Sequence, residues 1–130
     1  MKQDAFYIRL NGRYEKVLFS GIHYIEACKN YCRLWLGDKP LLILCTLKQF
    51  ESILPQGHFC RVHRSFIVSL DQMTAFDERF VFLPGRAVPI GDQFREVLHQ
   101  NILFLIRPSK LTRIPDEPSF FNHKLLKSNF

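Results

Sequence analysis

Phe59-Cys60-Arg61-Val62-His63-Arg64-Ser65-Phe66-Ile67-Val68-Ser69-Leu70 is the stretch on which the rest of the chain turns. Its first half is wet and basic, with Arg61, His63, Arg64 and Ser65 set around Val62. Its second half is an apolar run rich in β-branched and aromatic residues, which reads as a buried strand. Cationic and hydroxyl groups that lead directly into a core are held rigidly, and such groups are donors matched to phosphate oxygens. The stretch predicts a strand that anchors a basic, anion-binding surface.

Upstream, the same kind of pattern repeats. Phe6–Leu10 and Tyr14–Phe19 flank Asn11-Gly12, a strong two-residue hairpin signal, because both central residues of a type I′ turn need positive φ. Ile22–Ala27, Tyr31–Leu36 and Leu41–Cys45 read as further strands, separated by Lys29-Asn30 and by Gly37-Asp38-Lys39-Pro40. Thr46 is placed as an N-cap, and Leu47, Phe50, Ile53 and Leu54 give a short helix one apolar stripe before Pro55 and Gly57 end it. Downstream, strands are expected near Met73–Asp77, Arg79–Leu83 and Arg86–Ile90. A last helix follows, capped by Gly91-Asp92, with Phe94, Val97, Leu98, Ile102 and Leu105 inward and Pro108 as its stop. About eight short strands against two short helices make a mostly-β domain of antiparallel hairpins. We expect one domain over residues 1–107 and a C-terminal extension over 108–130, either docked through Phe120-Phe121 and Leu125-Leu126 or disordered.

Composition bounds the function. The 130 residues carry 18 Lys+Arg against 12 Asp+Glu, a formal charge of +6 that favours polyanionic partners. Half of that charge lies from Arg107 onward, so the body is only mildly cationic. No apolar run is long enough to span a membrane, and Met1-Lys2-Gln3-Asp4 leads into a strand pattern without a signal segment. Cys28, Cys32, Cys45 and Cys60 sit in strand-like surroundings, which reads as reduced thiols of a cytoplasmic protein without membrane contact.

Other chemistries fit less well. Cys28, Cys32, His58, Cys60 and His63 offer sulfur and imidazole, but their spacing matches no common zinc module, so no metal is expected. Cys60 and His63 lack the context of a nucleophile couple, Glu26 and Asp71 are isolated, and no glycine loop cradles phosphate. We therefore expect neither an enzyme nor a cofactor. With no long basic helix, DNA recognition would have to use loops and strand ends.

Three co-linear segments then carry a family resemblance. Ile22-His23-Tyr24-Ile25-Glu26-Ala27 with Asn30-Tyr31, then Phe59-x-Arg61-Val62-His63-Arg64-Ser65-Phe66-Ile67-Val68, then Ala87-Val88-Pro89-Ile90 with Phe94-Arg95 resemble a LytTR-type DNA-binding domain. The likeness spans roughly residues 5 to 106. It implies an elongated fold of antiparallel sheets with one or two short helices, found as the output domain of bacterial response regulators in two-component systems. It also implies binding to direct repeats in double-stranded promoter DNA as a homodimer on DNA, with loops in successive major grooves. An upstream receiver domain or a sensor kinase is the partner it suggests.

Carried across, the resemblance places a first contact loop at Lys29, Asn30, Cys32 and Arg33, with Cys32 or Arg33 nearest the base-reading position. A second lies at His63-Arg64-Ser65 and a third at Gly91–Arg95. Arg64 and Gln93 are expected to read base edges, while Lys29, Arg33, Arg61, Ser65 and Arg95 fix register on phosphates. His63 either donates to phosphate or braces its loop from inside. The chain departs from the family pattern at Ser69, where Asn is usual, and at Gly91-Asp92-Gln93, where Ser followed by basic residues is usual. The competing readings are a protein-interaction module and an RNA or single-strand binder, the latter needing exposed aromatic platforms such as Tyr31 or Phe121.

Overall fold

In the computed structural model, which describes residues 3–106, Asn11 and Gly12 take φ values of 52° and 82°. The turn therefore closes as its sequence demands, pairing β1 (Ala5–Leu10) with β2 (Arg13–Leu18) in antiparallel register. A short 3₁₀ turn at Phe19–Gly21 leads to β3 (Tyr24–Cys28), β4 (Tyr31–Trp35) and β5 (Pro40–Ile43). Next comes α1 (Leu47–Glu51), whose N-cap Thr46 accepts from the Gln49 amide while the Gln49 side chain accepts from the Thr46 amide. That reciprocal box satisfies donors that a five-residue helix leaves unpaired.

The decisive stretch folds as a hairpin, β6 (Phe59–His63) and β7 (Phe66–Ser69). Its first half is thus a strand rather than a wet approach to one, because Cys60 and Val62 alternate inward and are buried. A bulge between Arg61 and His63 interrupts the register just before the turn. Strands β8 (Ala75–Phe76), β9 (Phe80–Leu83) and β10 (Arg86–Pro89) form a small meander. A 3₁₀ turn over Asp92–Phe94 then opens α2 (Arg95–Gln100).

The last helix is shorter than its apolar stripe predicts. Asn101 ends it by donating from its side-chain amide to the Val97 carbonyl at 2.8 Å. Leu98 is inward and Ile102 partly so, whereas Val97 is 39% exposed and Leu105 lies in solvent. Gly91 stands at the 3₁₀ N-cap without a side-chain hydrogen bond. The expected stop at Pro108 and the segment 108–130 lie outside the described residues.

One five-stranded sheet, ordered β5-β4-β3-β7-β6, separates two cores. Strand alternation sends Ile25, Cys32, Leu34 and Ile67 to one face, where they meet Val17 and Phe19 of the first hairpin and Leu47 and Phe50 of α1. Tyr24, Cys60, Val62 and Val68 go to the other face, against Val81, Leu83, Val88 and Leu98. The fold is mostly β, with antiparallel sheets and few short helices, as the sequence reading expects.

Candidate nucleic-acid interface

Register alone brings the loops of interest to one end of this sheet. The β3–β4 turn carries Lys29 and Asn30, and the β6–β7 turn carries Arg64 and Ser65. Because β3 pairs with β7, the two turns project from the same edge, about 10 Å apart at two strand spacings. The Ala27 amide donates to the Ser65 carbonyl at 2.8 Å, tying the second turn to the base of the first. The third segment joins them through the Gly91 amide, which donates to the Val62 carbonyl at 2.8 Å. A β-carbon at Gly91 would meet the Phe94 ring at 3.2 Å and the His63 ring at 3.6 Å, so a larger residue there would press on both.

The side chains divide by how they are held. Lys29, Asn30 and Arg64 are exposed, and Lys29 takes φ 56°, the left-handed geometry of its turn. His63 accepts from the Ser65 amide through Nδ1 at 3.0 Å, and its ring packs edge-on to Phe66. Imidazole thus closes the turn from inside. Arg61 is engaged on several sides: Nε donates to the His63 carbonyl at 2.9 Å, Nη2 to the Arg64 carbonyl at 2.6 Å, and Nη1 to Glu51 Oε1 at 3.0 Å. Its guanidinium also lies 5.9 Å from the Phe94 ring centroid.

Arg33 pairs with Glu26 at 3.4 Å, and Glu26 also accepts from the Trp35 indole. Cys32 lies beneath this surface, beside Cys45 and near Arg61. It points to the opposite face of β4, fully buried, with its thiol donating to the Cys45 carbonyl at 3.4 Å. Burial, together with the neighbouring Cys45, pushes that thiol up to about 12. Between Cys32 and Arg33 as readers of the first loop, only Arg33 has side-chain access to solvent, and it is already paired.

In the third segment Gln93 is exposed. Asp92 accepts from Arg95 Nη2 at 3.1 Å, and Arg95 Nε donates to the Glu78 carbonyl. The acid that sets this segment apart from the family pattern is therefore partly compensated by its own neighbour. Ser69, the other departure, is buried and its hydroxyl accepts from the Gln72 amide, closing the turn after β7.

Two side chains on this edge escape the sequence reading. A shallow depression of about 440 Å³ is lined by Lys29, Tyr31, Arg61 and Arg64, and also by Lys48 and Glu51 of α1. The signal for Lys48 was present, since Thr46 as N-cap puts it on the exposed first turn of the helix. Nothing local relates Glu51 to Arg61. Tyr31, 48% exposed, lines the same depression, and Phe121 lies outside the described residues.

No helix among the described residues is long and apolar enough to cross a membrane. A comparison with curated proteins gives no match. Among solved structures, the chain is similar to one described as "LytTr DNA-binding domain of putative methyl-accepting/DNA response regulator from Bacillus cereus". The two share 21% identity at a TM-score of 0.67, over 79% of this chain and 100% of that one, a likeness of fold. The family model of the LytTr DNA-binding domain matches residues 12–102, and the chain belongs to that family.

Proposed function

We propose that this chain is a sequence-specific regulator of transcription that grips double-stranded promoter DNA with the end of its central sheet. The observation that carries this reading is the convergence of three separate chain segments on one edge, each presenting an exposed donor: Lys29, Arg64 and Gln93. Arg64 is the middle of the row. With the outer segments in successive major grooves, it lies over the minor groove between them, where an inserted arginine responds to width and A·T content. Gln93 suits adenine in a major groove. Lys29, Asn30, Ser65 and Lys48 surround these readers at positions suited to phosphate. Binding as a pair on direct repeats, within a protein that adds a receiver domain, completes the proposal. The DNA-binding unit is taken to be residues 1–107, with 108–130 as an appendage.

The test begins by selecting a duplex from a random library. Titrations of wild type and Arg64→Ala against that duplex and a random one follow, at two salt concentrations. Arg64→Ala should cost about 1–3 kcal/mol on the selected duplex and much less on the random one. Unchanged binding of both duplexes would overturn the assignment. Single-stranded DNA and RNA in the same titration examine the reading that exposed Tyr31 favours, a stacking platform.

A further inference from the structure

Glu51 is a carboxylate in the middle of the basic edge, lining the same depression as Lys29, Lys48 and Arg64. On charge alone it opposes a phosphate backbone. Its geometry gives it a different role. Glu51 Oε1 accepts from Arg61 Nη1 at 3.0 Å, while the same guanidinium holds the carbonyls of His63 and Arg64 through its other two nitrogens. The peptides on both sides of the Arg64 α-carbon thereby have their carbonyls fixed to one planar fork, and the fork is fixed to α1. Arg61 also lies against Phe94, so the third segment shares the same anchor. Only 25% of the Arg61 side chain is exposed.

We propose that Glu51 is a positioning residue for DNA reading, acting through Arg61, which holds the Arg64 turn in its binding shape. This rests on the DNA-binding role proposed above and reassigns Arg61 from a phosphate donor to a brace. Without Glu51 the guanidinium is free to turn toward solvent or phosphate, and the carbonyls it organises lose a restraint. A planar fork is needed, since a single ammonium nitrogen cannot stand at once in the three places from which Nε, Nη1 and Nη2 reach their acceptors.

The test separates charge from geometry in the full chain, on the selected and random duplexes described above. Glu51→Ala and Glu51→Gln both remove the negative charge, but glutamine keeps an acceptor oxygen for Arg61. Arg61→Lys keeps the charge and loses the fork. Glu51→Ala and Arg61→Lys should each weaken binding to the selected duplex about tenfold, the loss expected when a charged hydrogen-bond network is broken. Neither should weaken binding to the random duplex comparably. Glu51→Gln should stay within about threefold of wild type, the scale of a partly exposed ion pair. Circular dichroism and thermal midpoints establish that each variant is folded; an unfolded Glu51→Ala leaves the decision to Arg61→Lys and Glu51→Gln.

Tighter or unchanged binding by Glu51→Ala, as charge alone requires, overturns the proposal. So does a Glu51→Gln variant as weak as Glu51→Ala, or Arg61→Lys with wild-type selectivity. If Arg64→Ala loses selectivity while these variants do not, only the positioning role fails. If Arg64→Ala also keeps it, the DNA-reading assignment itself fails.

Discussion

The Lys29–Asn30 turn and the His63–Ser65 turn leave neighbouring hairpins of one sheet, yet they are held in opposite ways. The first is shaped by strand register and the left-handed backbone of Lys29, and among the described residues neither Lys29 nor Asn30 has a side-chain hydrogen-bond partner. The second is fastened by Arg61, by the His63 ring and by the Ala27 amide. A lysine free to move suits a phosphate, which accepts a point charge from many directions. An arginine that reads a groove needs its backbone fixed beforehand, since ordering it on binding would cost affinity. Under the proposed function the loose turn would contribute attraction and the braced turn discrimination.

The largest expected contrast lies between the two turns themselves. Where Arg64→Ala costs about 1–3 kcal/mol on one sequence, Lys29→Ala should weaken selected and random duplexes alike and lower the salt slope by about 0.9, one phosphate's worth. Equal sequence dependence for both variants would erase the distinction. His63→Ala comes next. It removes the acceptor of the Ser65 amide, so urea unfolding should show a loss of about 1 kcal/mol, accompanied by weaker binding to the selected duplex. A variant that loses stability but keeps its selectivity would show that the brace is not needed for reading.

The smallest effects concern the thiols on either side of the first turn. Cys32 and Cys60 are buried, and burial also raises the partly exposed Cys45 thiol, so the partly exposed Cys28 should label first with iodoacetamide, and duplex DNA should slow it. Burial pushes Cys32 to about 12 and Cys60 to about 11. Both folded values lie above that of a free thiol, near 8.5. The stability these groups contribute is therefore whole below about pH 8.5 and is lost as pH rises toward 11–12. Urea titrations at pH 8 and 10.5 should give a lower midpoint at the higher pH.

Local chemistry was the legible part. Asn11-Gly12 and Thr46 announce their structures because turn geometry and capping depend on the residues themselves. The strand Phe59–His63 was harder to see, since its inward residues are only Cys60 and Val62 and its outward ones are basic. Composition there resembles a loop, and only alternation distinguishes the two. The resemblance leaves Cys32 and Arg33 as alternatives for one position, and strand alternation decides only their faces: Cys32 points with Leu34 into the first core, Arg33 the other way. The family resemblance points to the three segments but not to the bracing proposed for Arg61. That role depends on Glu51 and Phe94, partners supplied by other elements of the fold.

The central sheet also bears on how the domain comes apart. Both cores use it as a wall: Ile25 and Ile67 look one way from the strands on which Tyr24 and Val68 look the other. Neither cluster can lose its packing without exposing the back of the other, so the two should melt together as one cooperative unit. Trp35, the single tryptophan, packs against the second cluster. Its fluorescence should nevertheless follow the same transition as hydrogen-exchange protection at Ile25, whose side chain lies in the first.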